Sequence, residues 1–448
     1  MLRQRPLRPE KLKPWTLAVY MIADGINGSS ALDASAEQAQ DDIKTALAAA
    51  GANGTVNVAM QMDFKETPGT RRLIVHRHRD WIHLGRDEEA GDPRVLERFF
   101  RWVHRECPAE RYVVHFWGHS SGPVGLFFER SPRDARPHGL TLPELGYAFE
   151  HSMPILGQLV DIVLFKDCWM STLEAACELR DGAKFMVSSQ SMVPIDGWPY
   201  QEMFDCLSSD ETPIVAAGLV EALGVYYGAA MNRPKLNEVA YGAVDVDAAR
   251  AVDEPLRALA RRLDALHGSE FAASRTAVRR SSRGDPALVD IVTMCDNLSD
   301  LTDADLSRHA ADLSHAVKAS VIAQRPEPSV FQGLSLLYIP AGGTLMEQAQ
   351  DSFIVPPFYQ PGLNAAGDYR TLELSRNTGW ERIALENYQP PPKRKRAMAI
   401  GDADKGGDFG IDWADDGSGT LTVKITKKPK KKAKASPKAS RATKKPKK

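Results

Sequence analysis

The sequence predicts an α/β protein, a doubly wound and mostly parallel sheet flanked by helices. Two observations carry this. First, short apolar runs rich in Val and Ile, each closed by turn residues, alternate with helical periodicity from Thr16 to Ser189. Second, two such runs, 112–117 and 160–165, break off into polar segments capable of chemistry: Gly118-His119-Ser120-Ser121-Gly122 and Lys166-Asp167-Cys168-Trp169-Met170. If both are parallel strands, His119 and Cys168 stand at carboxyl ends, where open α/β sheets hold their ligands.

In chain order, Thr16 to Ala23 reads as a central strand left through the loop Asp24 to Gly28. Ala31 to Ala50 has helical spacing, Val56 to Met62 is a second strand, and Arg71 to His78 a third. His76 and His78 share a face of that strand, but arginines flank them and no third ligand is in sequence view, so no metal site is assigned. Pro93 to Cys107 is an amphipathic helix with Leu96, Phe99, Phe100 and Val103 on one side. Thr141 caps a helix running to Met153, a helix follows from about Met170 to Leu179, and Phe185 to Ser189 is a further strand. Beyond Tyr200 the pattern is mostly helical (213–231, 246–267 and 303–323), with strands at Val239 to Val244 and Gly333 to Ile339 that are expected to complete the same sheet.

The domain reading is an N-terminal extension over 1–14, one large domain over 15–389, a linker and small hairpin over 390–426, and a disordered Lys-rich tail over 427–448. The tail carries twelve Lys or Arg and no acid, which turns an overall charge of −1 into −13 for the remainder. It could contact polyanions, with steep salt dependence, or fold back on the acidic body. No apolar run approaches the roughly 18 residues that span a bilayer, and Met1 to Pro14 has no apolar leader core, so the expected location is cytoplasmic. Five dispersed cysteines without a C-x-x-C pair argue against a disulfide framework or a zinc ribbon.

Cys168 is the chemically interesting cysteine. A thiol attacks a carbonyl as thiolate and needs a nearby base. His119, 49 residues earlier, is placed to serve across one strand–helix–strand unit. The amides of Ser120 and Cys168 are candidates to hold an oxyanion.

The segments His119-Ser120-Ser121-Gly122 and Cys168-Trp169-Met170-Ser171-Thr172-Leu173-Glu174 resemble the clostripain family of cysteine peptidases, which are similar to caspases and gingipains. Val19 to Asp24, Ser188-Ser189-Gln190 with Gly197-Trp198-Pro199-Tyr200, and Gly333 to Pro340 extend the resemblance over about Trp15 to Pro340. It implies a caspase-like sheet and peptide-bond hydrolysis through an acyl-enzyme. Cys168 takes the nucleophile's role and His119 that of acid and base, while Glu174 has a structural role. The substrate-binding residues it implies are Lys166, Asp167, Ser189, Gln190 and Trp198. No cofactor is called for, calcium entering only because some relatives use it, and some relatives are zymogens cut in a loop such as Glu129 to His138.

Two positions depart from the family pattern. Ser120 stands where the family usually has Gly. Lys166 stands where it usually has the Asp that receives Arg or Lys before the cut, so basic side chains should be disfavoured. A catalytically silent peptide-binding module and a nucleic-acid-associated protein acting through its tail are the alternative readings.

Overall fold

The computed structural model describes residues 12–23, 30–64, 69–75, 82–84, 88–130, 137–194, 197–230, 239–283, 285–326, 331–339 and 369–387, and the backbone of 409–415 and 421–427. Its centre is a sheet whose strands are β1 (Lys13–Ile22), β2 (Val56–Asp63), β3 (Arg71–Ile74), β4 (Ile82–His83) and β5 (Ala109–Trp117). After the short antiparallel pair β6 (Leu126–Arg130) and β7 (Pro137–Leu140), the main sheet continues with β8 (Val160–Lys166), β9 (Ala183–Ser189) and β10 (Tyr241–Asp245). The strands β11 (Ser282–Arg283) and β12 (Asp285–Asp290) leave it, β13 (Val321–Arg325) returns to it, and β14 (Ser335–Leu337) leaves again. Among the described residues the order is β13-β10-β9-β8-β5-β1-β2-β3-β4.

The five middle strands, β9-β8-β5-β1-β2, are parallel, and each strand outside them pairs antiparallel with its inner neighbour. Every residue of β8 is buried, as expected of a strand covered on both faces. Alternate side chains feed two cores. Val163 and Phe165 join Phe99, Phe100 and Phe149 on one face, and Ile162 and Leu164 join Val19, Ile43 and Leu219 on the other.

Local chemistry fixes the helices that hold these faces. Helix Pro93–Glu106 begins where Asp92 accepts from the Arg94 amide at 2.9 Å, with proline in the first turn. Helix Leu142–Leu156 begins where the Thr141 amide donates to Glu144 Oε2 at 3.0 Å. Helix Leu173–Leu179, which follows the cysteine turn, is capped by Thr172 Oγ1 accepting from Ala175 N at 3.2 Å.

The second half differs from the sequence reading in three ways. The helix expected to reach Ala323 ends at Ser320, and Val321-Ile322, a β-branched pair, begins the edge strand β13 instead. The run around Gly333 to Ile339 does not join the main sheet: β14 pairs with β12 in a separate three-stranded sheet, Leu336 opposite Val289. The strand β12 and the helix Ile291–Ser299 behind it were not anticipated. The third strand ends at Ile74, and His76 and His78 lie outside the described residues, as do the loop 24–29 and the tail beyond Lys427.

Contacts divide the chain into a unit through Pro391 and a second one from Pro392. In the second, Phe409–Asp415 pairs antiparallel with Leu421–Lys427.

Candidate active site

β5 and β8 are adjacent and parallel, with Trp117 opposite Lys166, so the loops that follow them leave the same edge side by side. His119 and Cys168 are carried there. The histidine loop doubles back at once. Phe127 N donates to His119 O at 2.8 Å and Ser121 N to Gly125 O at 3.0 Å, and these two bonds flank Ser120 in an isolated bridge with Leu126. The Ser120 N–H is left outside that ladder. Gly122 has φ +57°, and a Cβ there would lie 3.0 Å from the carbonyl oxygen of Trp169, so close approach of the two loops requires glycine.

Ser120 Oγ donates a hydrogen bond to the carbonyl oxygen of Cys168. The side chain that departs from the family pattern thus ties the histidine loop to the cysteine turn. The turn itself is tight, with Trp169 at φ +54°, and its backbone is held from below by Ser171 N donating to Ser189 O at 2.9 Å.

The segment Ser191–Pro194 lies along the same turn. Trp169 N donates to Ser191 O at 3.0 Å, Val193 N donates to Cys168 Sγ at 3.3 Å, and Lys166 Nζ donates to Pro194 O at 3.3 Å. The thiol is half-buried, and Val193 supplies its polar partners among the described residues. Burial pushes the thiol up to about 11, against the opposing Val193 amide. His119 is exposed, yet the protein packed around it and then the Lys166 ammonium hold its imidazole below the usual value. In this state the site therefore holds a neutral thiol and a neutral imidazole at neutral pH.

The other sequence-predicted residues lie beneath this surface. Lys166 is 5% exposed, with Nζ 4.9 Å from the Trp117 ring centroid and 5.7 Å from that of Trp198. Asp167 is fully buried, neither carboxyl oxygen has a partner among the described residues, and burial pushes its pKa up to about 8, so it is mainly protonated at neutral pH. Ser189 Oγ is 3.1 Å from Ser191 Oγ and accepts from Ser191 N at 3.1 Å. Gln190 is 2% exposed and its amide is fully engaged: Nε2 donates to Asp290 Oδ2 at 3.0 Å and to Ser335 Oγ at 2.9 Å, while Oε1 accepts from Gly333 N at 2.6 Å. Trp198 is buried among His115, Tyr227 and Tyr241. Glu174 is buried, its Oε1 accepting from Leu337 N at 2.8 Å and Tyr369 OH at 2.7 Å, which links the cysteine helix to the small sheet.

Two participants were not found from sequence. Val193 contributes a backbone amide, which leaves no mark on residue type. Asp42, on the first helix, shares a cavity of about 230 Å³ with Trp117, Lys166, Gly197 and Tyr200. Nothing in the sequence joins residue 42 to residue 166.

A parallel-centred sheet with a cysteine and a histidine at neighbouring carboxyl ends defines a caspase-like cysteine peptidase. The Clostripain family matches residues 19–354, well over half of the chain, and the chain belongs to that family. It is a cysteine endopeptidase acting on protein or peptide substrates. An inactive zymogen C11 protease from Parabacteroides distasonis has the same fold, with TM-score 0.54 at 17% identity over 82% of this chain and 99% of that one. A secreted C11 cysteine protease from Bacteroides thetaiotaomicron, in complex with an irreversible peptide inhibitor, aligns with TM-score 0.57 at 16% identity over 82% of this chain and 99% of that one. No curated protein sequence matches. Among the described residues no helix is long and apolar enough to cross a membrane.

Proposed function

We propose that Cys168 is the nucleophile and His119 the acid and base of peptide-bond hydrolysis. The observation that carries this is the pairing of their loops at the carboxyl ends of β5 and β8, fastened by the Ser120 hydroxyl. His119 accepts the thiol proton as sulfur attacks the scissile carbonyl, and the tetrahedral oxyanion forms against the N–H groups of Ser120 and Cys168. Collapse expels the amine, which leaves with the proton from His119, and a thioester remains on Cys168. Water, deprotonated by His119, attacks the thioester and releases the acid and the free thiol. This chemistry calls for no cofactor.

The peptide backbone is received along Ser191–Pro194. Ser189 and Gln190 support that segment from behind, and their side chains do not face the substrate. Attack requires Val193 to release the sulfur, so the free enzyme rests in a latched state. Lys166, buried where a carboxylate would attract Arg or Lys, sets the pocket against basic residues before the cut. Among the described residues the five cysteines form no disulfide, which supports a reducing, cytoplasmic location. The charge of the Lys427–Lys448 tail supports contact with polyanions.

The test is hydrolysis of a mixed peptide library by wild-type enzyme, Cys168→Ala and His119→Ala, with circular dichroism to verify folding. Loss of hydrolysis in both folded variants is expected. Undiminished cleavage by folded Cys168→Ala would dismiss the assignment.

A further inference from the structure

We infer that Gln190 is a positioning residue for the reaction: its side chain staples together the two segments that flank the cysteine turn and so keeps Cys168 aimed at the substrate. This rests on the assignment of Cys168 as nucleophile.

The turn is gripped from both sides. On one side it meets the end of β9 and the residues beyond it, Ser171 N donating to Ser189 O at 2.9 Å and Trp169 N to Ser191 O at 3.0 Å. These two bonds run in antiparallel register, and Gln190 lies between their acceptors. On the other side the turn meets β14 and the residues before it. There Ser335 N donates to Ser171 O at 2.9 Å, and Ser171 Oγ donates to Gly333 O at 2.6 Å. Gln190 joins the two flanks directly, because its Oε1 accepts from Gly333 N at 2.6 Å and its Nε2 donates to Ser335 Oγ at 2.9 Å. The bonds close a ring that runs from Gln190 through Gly333 to Ser171 and back through Ser189. A further bond, from Gln190 Nε2 to Asp290 Oδ2 at 3.0 Å, ties the ring to the start of helix Ile291–Ser299.

The backbone held inside this ring is strained. Trp169, the residue after the nucleophile, has φ +54°, a left-handed conformation that is costly for a residue with a Cβ. Such a conformation persists only where its surroundings over-determine it. Relaxation of Trp169 to negative φ would swing the peptide that joins it to Cys168, whose carbonyl oxygen accepts from Ser120 Oγ, and would shift the thiol relative to His119. Gln190 and Ser335 are each 2% exposed and Ser171 is fully buried, so bulk water is kept from the ring and does not replace a lost bond. The Gln190 side chain does not face the substrate, so its loss should fall on kcat and leave KM nearly alone.

The experiment measures kcat and KM separately, on an amide-linked fluorogenic peptide that wild type cleaves, for Gln190→Met, Ser171→Ala, the double variant and Asp92→Ala, with thermal unfolding recorded for each. Gln190→Met, an apolar change of similar volume, is expected to lower kcat at least about tenfold with KM within about threefold of wild type. Ser171→Ala, which removes the bond to Gly333 O, is expected to lower kcat several-fold. Both act through one ring, so the double variant is expected to stay within about twofold of Gln190→Met. Asp92→Ala removes the N-cap of helix Pro93–Glu106, which belongs to none of these segments, and is expected to lower the melting temperature by a few degrees and to keep wild-type kcat. Wild-type kcat in folded Gln190→Met, or in Ser171→Ala should Gln190→Met not fold, would overturn the inference. So would losses that multiply in the double variant, or a kcat loss in Asp92→Ala equal to that in Gln190→Met, since lowered stability would then account for both. The absence of Cys168-dependent cleavage by folded wild type would instead overturn the nucleophile assignment, and this inference with it.

Discussion

Ser120 Oγ donates to the carbonyl oxygen of Cys168, so one side-chain bond joins the histidine loop to the cysteine turn. Ser120 is buried and Cys168 half-buried, and a buried carbonyl left unpaired costs on the order of 1–3 kcal/mol. Because the bond fixes two catalytic loops and no core element, the penalty should fall on the alignment of the site. Ser120→Ala and Ser120→Gly are expected to keep the melting temperature within a few degrees and to lower kcat/KM by roughly tenfold. Wild-type kcat/KM in both variants would show that the bond positions nothing.

The resting thiol should be a poor nucleophile. Burial pushes Cys168 up to about 11, and Val193 N–H rests against the sulfur. Alkylation depends on the thiolate fraction, so the iodoacetamide rate at Cys168 in free enzyme is expected to keep climbing about tenfold per pH unit from pH 7.5 to 9.5. A rate that is already level across that range would mean a preformed ion pair with His119.

How much of this could be read in the sequence follows from what each feature is made of. His119 and Cys168 were legible because two Val/Ile-rich runs end in turn chemistry, and a parallel sheet puts such ends together. Ser120 was visible as a departure, but not as a bond, since its partner is a backbone carbonyl. Gln190 was placed among the substrate contacts, yet its amide is spent on Asp290, Ser335 and Gly333, residues at least 100 positions away. Asp285-Pro286-Ala287-Leu288-Val289 was too short and too interrupted to announce β12. Val321-Ile322 continued a helical pattern and became an edge strand because β10 offered it an open partner.

Asp290 should be the costliest single loss outside the site. Its Oδ1 caps helix Ile291–Ser299 by accepting from Thr293 N at 2.8 Å, and its Oδ2 accepts from Gln190 Nε2 at 3.0 Å and Gln332 N at 2.7 Å. Asp290→Ala removes an N-cap worth about 1 kcal/mol and takes the carboxylate acceptor from the buried Gln190 amide and the half-buried Gln332 N–H, at roughly 1–3 kcal/mol each. Denaturant unfolding is expected to show a loss of roughly 3–7 kcal/mol. A loss under about 1 kcal/mol would mean that water replaces the carboxylate.

Stability should decline as the solution turns from mildly acidic to alkaline. Burial raises Glu144, Glu174 and Glu178 to about 7 and Asp167 to about 8. Each of these groups keeps its proton in the folded chain at pH values where the unfolded chain has released it. The resulting stabilisation is complete below the unfolded pKa near 4 and is lost as pH rises through about 7 to 8. Three groups oppose this toward the acid end. One is Asp303, whose salt bridge to Arg262 lowers its pKa. The others are His115, which burial pushes down to about 3, and His119, also lowered, which stay neutral below about pH 6.5 where the unfolded chain takes up protons. They offset only part of the four carboxyls' larger combined shift. The melting temperature is therefore expected to be higher at pH 5.5 than at pH 8.5. Glu174→Gln can still accept from Leu337 N and Tyr369 OH through its amide oxygen, so it should flatten that slope without loosening the cysteine helix. A melting temperature that rises from pH 5.5 to 8.5 would mean that these carboxyls ionise freely in the folded protein.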